Sequence, residues 1–441
     1  MSNKFFRLAG FLKKIRVLLF LAGVVVYGSP PVVLEWTEGF SLPPQSDGSA
    51  AVGLGAPFYG EHNGVALLAG GSNFPEMPLV EGGPKRYHAE IYALPAGQTN
   101  WLQAGRLKRP AAEGMSATTP RGVVCVGGGD GKETLARAFL LTWDAARGQA
   151  VETVLPDFPY AVRLGGAASR GNRVYVAGGG GTEALGSEVW TLDLDDLAAG
   201  WRALPPLPGA KGRMQAQAFV QNGDQKKTLL YVVGGYARHA DGGVYSLTDG
   251  YAYDLSQPDG SGVWRPVSPA VINGKISDQR SEIGTPASDL RPPTSGAWPL
   301  IGAKCVTVGD QHVLFFGGLD AAYFDDNQRK MASLTGDARD AQRIAYQSKL
   351  PSSWNRRVLA YHTVTDRWFE LGEVPFQPTV AGASIKLSDG SVLLASGEIQ
   401  PGIRTPVCTV GRFVARRKFH PLNWAVMGVY FAGLAGMGVW F

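Results

Sequence analysis

VALLAGG (65–71), VVCVGGG (123–129), RVYVAGG (173–179), LLYVVGG (229–235) and HVLFFGG (312–318) are five versions of one phrase, an apolar strand that ends on paired glycines. A sixth version, VLLASGE (392–398), puts Ser396 and Gly397 where the others have the pair and follows them with Glu398. A continuous apolar run reads as a strand buried on both faces, and glycine at its end allows positive φ and close backbone approach. Each run is therefore read as one inner strand of a propeller blade. The copies recur at about fifty to about eighty residues, against a period of roughly fifty for kelch repeats. The expectation is an all-β, six-bladed kelch-type β-propeller over residues 33–415.

Downstream of most copies a tryptophan leads into a Leu/Pro-rich turn: NWLQAGRL at Trp101, GWRALPPLP at Trp201, VWRPVSP at Trp264 and RWFELGEVP at Trp368. These read as outer strands whose indoles pack between blades. The second blade offers VETVLPDFP (151–159) without a tryptophan, and the sixth ends at VCTVGRFV (407–414) with no outer strand after it. Trp36, Thr37 and FSLPP (40–44) supply the missing pattern at the other end, so strand 33–44 is expected to complete the last blade and leave no open edge. Two polar insertions, Val271 to Trp298 and Leu319 to Asn355, read as loops that either cover one mouth of the propeller or decorate its surface.

Fifty-nine Gly and twenty-nine Pro beside 45% hydrophobic and 18% charged residues fit a turn-rich β protein and exclude disorder. Part of the net charge of +5 comes from Lys/Arg clusters at Lys4 to Arg16 and Arg412 to Lys418 rather than from one basic face, so nucleic acid is not an expected partner. Residues 1–28 carry that first cluster, then the apolar Val17 to Tyr27, in the layout of a signal peptide or an uncleaved signal anchor. Leu422 to Phe441 is twenty residues without a charge, with aromatics near both ends, so 420–441 reads as a transmembrane helix. Arg416, Arg417 and Lys418 would then lie on the outer side, against the positive-inside tendency. The expected location is the periplasm, with attachment to the inner membrane. Cys125, Cys305 and Cys408 each lie in an apolar run and read as buried thiols. The six histidines show no pairing at ligand spacing, which tells against a propeller copper oxidase.

Chemistry is sought in the sixth copy, GEIQPGIRT (397–405), where a carboxylate follows the strand end. The Pro401–Gly402 turn can fold the chain so that Glu398 and Arg404 meet at one mouth. A partly desolvated Glu can act as general acid and base while Arg clamps a carboxylate. A structural ion pair across a turn is the competing reading. Asn73 and Lys85 in the first blade's loop are candidate substrate-binding residues, with turn formation as their alternative. Glu113, Arg163, Arg213 and Lys304, each just before an inner strand, are assigned to ion pairing between blades rather than to catalysis.

GEIQPGIRT together with GGSNFPEMPLVEGGPKRYHAEIYAL (70–94) resembles the N-acetylneuraminate epimerases, or sialic acid mutarotases, and the order of motifs resembles their cyclically permuted subgroup. The resemblance implies Glu398 as acid/base, Arg404 as the holder of the sugar carboxylate, and exchange of the α and β anomers of N-acetylneuraminate, a reaction that needs no metal or redox cofactor. Residues 420–441 are similar to the opening helix of sodium:solute symporters, which implies a fused or associated transporter as partner. A non-catalytic kelch module that binds a sugar or a protein beside a transporter is the alternative function.

Overall fold

The computed structural model describes residues 32–45, 48–181, 186–209, 212–238, 243–258, 260–270, 298, 300–319, 321–348 and 354–415, together with 428, 430–432 and 436. Two compact units are present, Trp36–Arg412 and a unit made of the ends, Met1–Glu35 with Phe413–Phe441. In the terminal unit 32–35 and 413–415 are strand, and Gly428, Tyr430, Phe431, Ala432 and Gly436 are helical. Among the described residues no helix is long and apolar enough to cross a membrane. The expected signal segment 1–28 lies outside the described residues, as does the expected transmembrane segment 420–441 apart from those five positions.

The larger unit is a ring of six antiparallel sheets. Blade I is Phe58–His62, Val65–Ala69, Glu90–Pro95 and Leu102–Arg106; blade II is Met115–Thr119, Gly122–Val126, Ala138–Asp144 and Gln149–Leu155. Blade III is Gly166–Arg170, Arg173–Ala177, Val189–Asp193 and Arg202–Leu204; blade IV is Gln217–Asn222, Thr228–Val233, Gly250–Asp254 and Trp264–Val267. Blade V is Lys304–Val308, His312–Phe316, Arg357–His362 and Arg367–Glu373. In blade VI, Ala383–Lys386 and Val392–Ala395 are followed by Val407–Ala415. The chain at Trp36–Ser41 lies along the free edge of that last strand: Thr37 N donates to Val410 O at 2.9 Å, and Phe40 pairs with Cys408. The six innermost strands pack each against the next, and Ala383–Lys386 returns to Phe58–His62 to close the circle.

The glycine-ended runs are not the innermost strands, as expected from sequence, but the second strand of each blade. The physical reason is burial. Val65–Ala69 and Gly122–Val126 are covered on both faces throughout, whereas the innermost Met115–Thr119 alternates, because one side of it faces the channel. Between the blades lie layers of aliphatic and aromatic side chains such as Phe58, Val123 and Phe139, or Phe219, Tyr231 and Phe315. The tryptophans tie neighbours together as expected. Trp201 Nε1 donates to Pro156 O, Trp264 Nε1 to Pro205 O and Trp368 Nε1 to Ser268 O, at 2.8–2.9 Å, each carbonyl lying just past the outer strand of the preceding blade.

The paired glycines adopt one conformation throughout, with φ of +67° and +94° at Gly127 and Gly128 and +56° and +114° at Ser396 and Gly397. A Cβ on Gly127 would lie 2.1 Å from Val162 O in the connector to blade III. Blade VI tolerates Ser396 because its hydroxyl accepts from Leu54 N at 2.7 Å and donates to Thr405 O at 2.7 Å. Gly127→Ala is expected to lower stability by on the order of 3 kcal/mol, combining left-handed strain with the backbone clash. Urea denaturation reads it, and a loss below about 1 kcal/mol would mean that the connector yields freely.

The insertion between the second and third strands of blade V is a helical hairpin rather than a loop, α1 (Ala321–Ala332) and α2 (Gly336–Ser348). Its many charged residues conceal helical spacing. Phe324 and Asp325 of α1 are buried, and Asp325 accepts from the backbone N–H and hydroxyl of Ser246, in the ribbon between the second and third strands of blade IV, at 2.7 and 2.8 Å. The other insertion, 271–297, lies outside the described residues. Cys125 and Cys408 are buried free thiols, but Cys305 is only partly buried because its strand borders the channel.

Candidate active site

Gly397 passes directly into a two-stranded ribbon, Glu398–Gln400 and Ile403–Arg404, turned by Pro401 and Gly402. The register puts Glu398 opposite Arg404, so the turn itself brings the side chains together. Arg404 Nη2 lies 2.6 Å from Glu398 Oε2. Mutual bonds between Glu398 and Val380, at 2.8 and 3.0 Å, fix the base of the ribbon to the connector before blade VI. The guanidinium stacks over Phe74, 4.8 Å from the ring centre. Gly55 also lies close to it: a Cβ there would come within 2.6 Å of Nε. Arg404 Nε and Nη1 are buried with no hydrogen-bond partner.

This pair lines a cavity of about 290 Å³ at one mouth of the propeller. Lys85 and Glu113 lie in the same cavity, bonded to each other, and Glu113 also accepts from Arg163 Nη1 at 3.0 Å. Tyr323, Tyr346 and Trp354 enter from the blade V insertion, with the two tyrosine rings stacked at 4.8 Å.

The floor is backbone. Ala56, Glu113, Leu164, Gln215, Gly302 and Ala381 occupy one equivalent place before each innermost strand, all with φ between +48° and +67°. A chain of N–H to O=C bonds runs through them: Ala56 to Ala381 (2.6 Å), Glu113 to Ala56 (2.8 Å), Leu164 to Glu113 (2.8 Å), Gln215 to Leu164 (2.7 Å) and Ala381 to Gly302 (3.0 Å). Five of these six positions carry side chains in a conformation that most L-residues avoid, and the chain of bonds offsets that strain.

The two carboxylates are pushed in opposite directions. Burial raises the Glu398 pKa above its ordinary value; Arg404, the Gly402 N–H and Lys85 oppose this without cancelling it. Burial also acts to raise Glu113, but Lys85 and Arg163 outweigh it and hold Glu113 ionised. One group is thus poised to exchange protons while the other remains a fixed anion. Burial lowers the Arg404 pKa, but a guanidinium keeps its proton at any ordinary pH.

Of the residues singled out in the sequence, Glu398, Arg404 and Lys85 meet in this cavity. Asn73 is not part of its lining; its Oδ1 bonds His88 Nε2 at 2.8 Å, a buried contact within blade I. Glu113, set aside from the sequence, lines the cavity, and it is the one ionisable residue among the six floor positions. Aligning the residues two before each innermost strand would have singled it out. Tyr323 and Tyr346 were missed because nothing marked the insertion as helical. Arg213 pairs with Asp249 instead, and Lys304 faces a different cavity. Among the described residues no cluster of His, Cys, Asp and Glu could hold a metal ion.

Residues 290–436 match the family model for N-acetylneuraminate epimerase. Curated proteins named N-acetylneuraminate epimerase are similar over longer stretches. The one from Yersinia enterocolitica is 28% identical over 263 residues, covering 58% of this chain and 57% of that protein. Those from Haemophilus influenzae and Vibrio cholerae are 28% and 27% identical over 265 and 258 residues, covering 59% and 57% of this chain and 60% and 57% of theirs. The chain thus spans less than two thirds of the length of the curated relatives it matches. A solved structure titled "Structure of YjhT" aligns with a TM-score of 0.45 and 22% identity, covering 61% of this chain and 69% of that one. The chain is similar to the N-acetylneuraminate epimerases, and the segment that matches their family model contains the Glu398–Arg404 ribbon.

Proposed function

We propose that the cavity around Glu398 and Arg404 interconverts the α and β anomers of N-acetylneuraminate. The observation that carries this reading is a partly buried carboxylate with a raised pKa, 2.6 Å from a guanidinium that keeps two buried donors unused. The sugar carboxylate takes those donors, which orients the anomeric carbon toward Glu398. Glu398 removes the anomeric hydroxyl proton while the ring C–O bond breaks, and it delivers that proton to the ring oxygen. The open-chain ketone turns its other face, and the same steps in reverse close the ring as the other anomer. One carboxyl group therefore serves as base and then acid, with no net proton change. Glu113, Lys85 and the Tyr323–Tyr346 stack shape the remainder of the cavity.

Proton NMR of the freshly dissolved sugar, following anomer equilibration with and without the protein, tests the activity. Binding without any acceleration would leave a non-catalytic sugar-binding module. Because the base is ionised Glu398, the rate should rise with pH through a midpoint above 4.5. Lys85→Met removes one of the charges that lower this pKa, so the limb should move to higher pH. The same shift has a stability sign. A carboxyl whose folded pKa is raised favours the folded protein below its unfolded pKa, and that contribution is lost as pH rises through the folded value. We also propose that the activity lies outside the cytoplasm at the inner membrane, beside a transporter, supported by the sequences of residues 1–28 and 420–441 alone.

A further inference from the structure

On the far side of the backbone floor lies a second cavity of about 450 Å³, the central channel of the propeller. Ala56, Leu164, Gln215, Gly302 and Ala381 border both cavities, so the floor separates them. The channel walls are the innermost strands, and its lining reaches the exposed residues Lys386 and Ser388, so it opens at the other mouth.

Lys304 heads the innermost strand of blade V, and its Nζ lies 5.4 Å from the centre of the Tyr59 ring of blade I. Among the described residues no carboxylate or hydrogen-bond acceptor holds this nitrogen. The titratable groups beside it are Cys305 and Tyr59. Burial pushes the Cys305 thiol up to about 12 and raises the Tyr59 phenol as well, so both are neutral at ordinary pH. Ser384, on the intervening strand, directs its hydroxyl to Cys305 O at 3.2 Å. The amine therefore has a π face but no counter-charge, and burial lowers its pKa from 10.5 to about 8. A cation–π contact worth about 2 kcal/mol or less does not offset the desolvation of an unpaired ammonium. An amine partly buried in the channel wall, without a counter-charge and open to the channel, has the properties of a nucleophile.

We propose that the channel is a second small-molecule site, distinct from the Glu398 cavity, in which the Lys304 amine condenses reversibly with the carbonyl carbon of a small aldehyde or ketone. The nitrogen lone pair forms the C–N bond as the carbonyl oxygen takes up a proton, giving a carbinolamine. Loss of water then gives the imine, and hydrolysis returns the amine and the carbonyl compound. No oxidant or reductant takes part.

The test uses the whole chain with glyoxylate and cyanoborohydride at about pH 7.5, where ordinary lysines are protonated. Peptide mass mapping then compares Lys304 with the exposed Lys132 and Lys386. Labelling at Lys304 is expected to be roughly tenfold faster or more, with a midpoint near 8 in its pH dependence. Without reductant, the mass should return to that of the unmodified chain after dialysis. Labelling no faster than at Lys132, a midpoint near 10.5, or an adduct that survives without reductant would each overturn the proposal. Lys304→Met keeps side-chain length without the amine, and its anomer exchange should match that of the parent chain.

Discussion

Glu398→Gln is expected to lose roughly 10²–10⁴-fold in the rate of anomer equilibration, the range a positioned general acid/base supplies. The amide is nearly isosteric and can still accept from Arg404, so the ribbon and the cavity should persist. Sugar affinity should change little, because the carboxylate of the sugar is assigned to Arg404. The measurement is the NMR equilibration rate, with a binding titration on the same sample. Retained rate would remove Glu398 from the chemistry and make its contact with Arg404 a purely structural ion pair. The decisive comparison is between rate and affinity, since a binding module would lose neither.

Arg404→Ala is expected to reduce kcat/KM by on the order of 10²-fold, because hydrogen bonds to a charged group contribute about 1.5–3 kcal/mol each. Two consequences separate this loss from simple damage to the fold. The guanidinium is the largest of the influences that lower the Glu398 pKa, so the acid limb should move to higher pH in the alanine variant. Arg404→Lys should restore much of that limb, since a lysine supplies the charge. It should leave affinity low, because a point charge cannot present the fixed donors of Nε and Nη1. If alanine and lysine variants shared both the affinity and the limb of the parent chain, the sugar carboxylate would have to bind elsewhere.

The six blades were legible because the glycine-ended runs and the tryptophan turns report two-sided burial and close backbone approach, and both are written in residue type. Which strand of a blade carries the run was misread. An apolar run says that both faces are covered but not how far the strand lies from the axis. Glu398 and Arg404 were legible for a local reason, a turn that makes them cross-strand neighbours. Lys85 reaches the cavity as well, whereas Asn73, only one position along the chain from the cavity-lining Ser72, turns to His88 instead. Glu113 and the two tyrosines come from distant segments. Their meeting depends on ring geometry and on a helical hairpin whose polar composition resembles that of a loop.

The chain of hydrogen bonds through Ala56, Glu113, Leu164, Gln215, Gly302 and Ala381 gives the cavity no single owner, since every blade contributes one stone to its floor. The link from Ala56 N to Ala381 O crosses the seam where the first and last blades meet. If the proposed anomer exchange takes place on this floor, its rate is a gauge of circular closure. Loosening the Trp36–Ser41 edge that completes blade VI should register as a changed rate before any one sheet unravels, because that blade carries Ala381 of the shared floor.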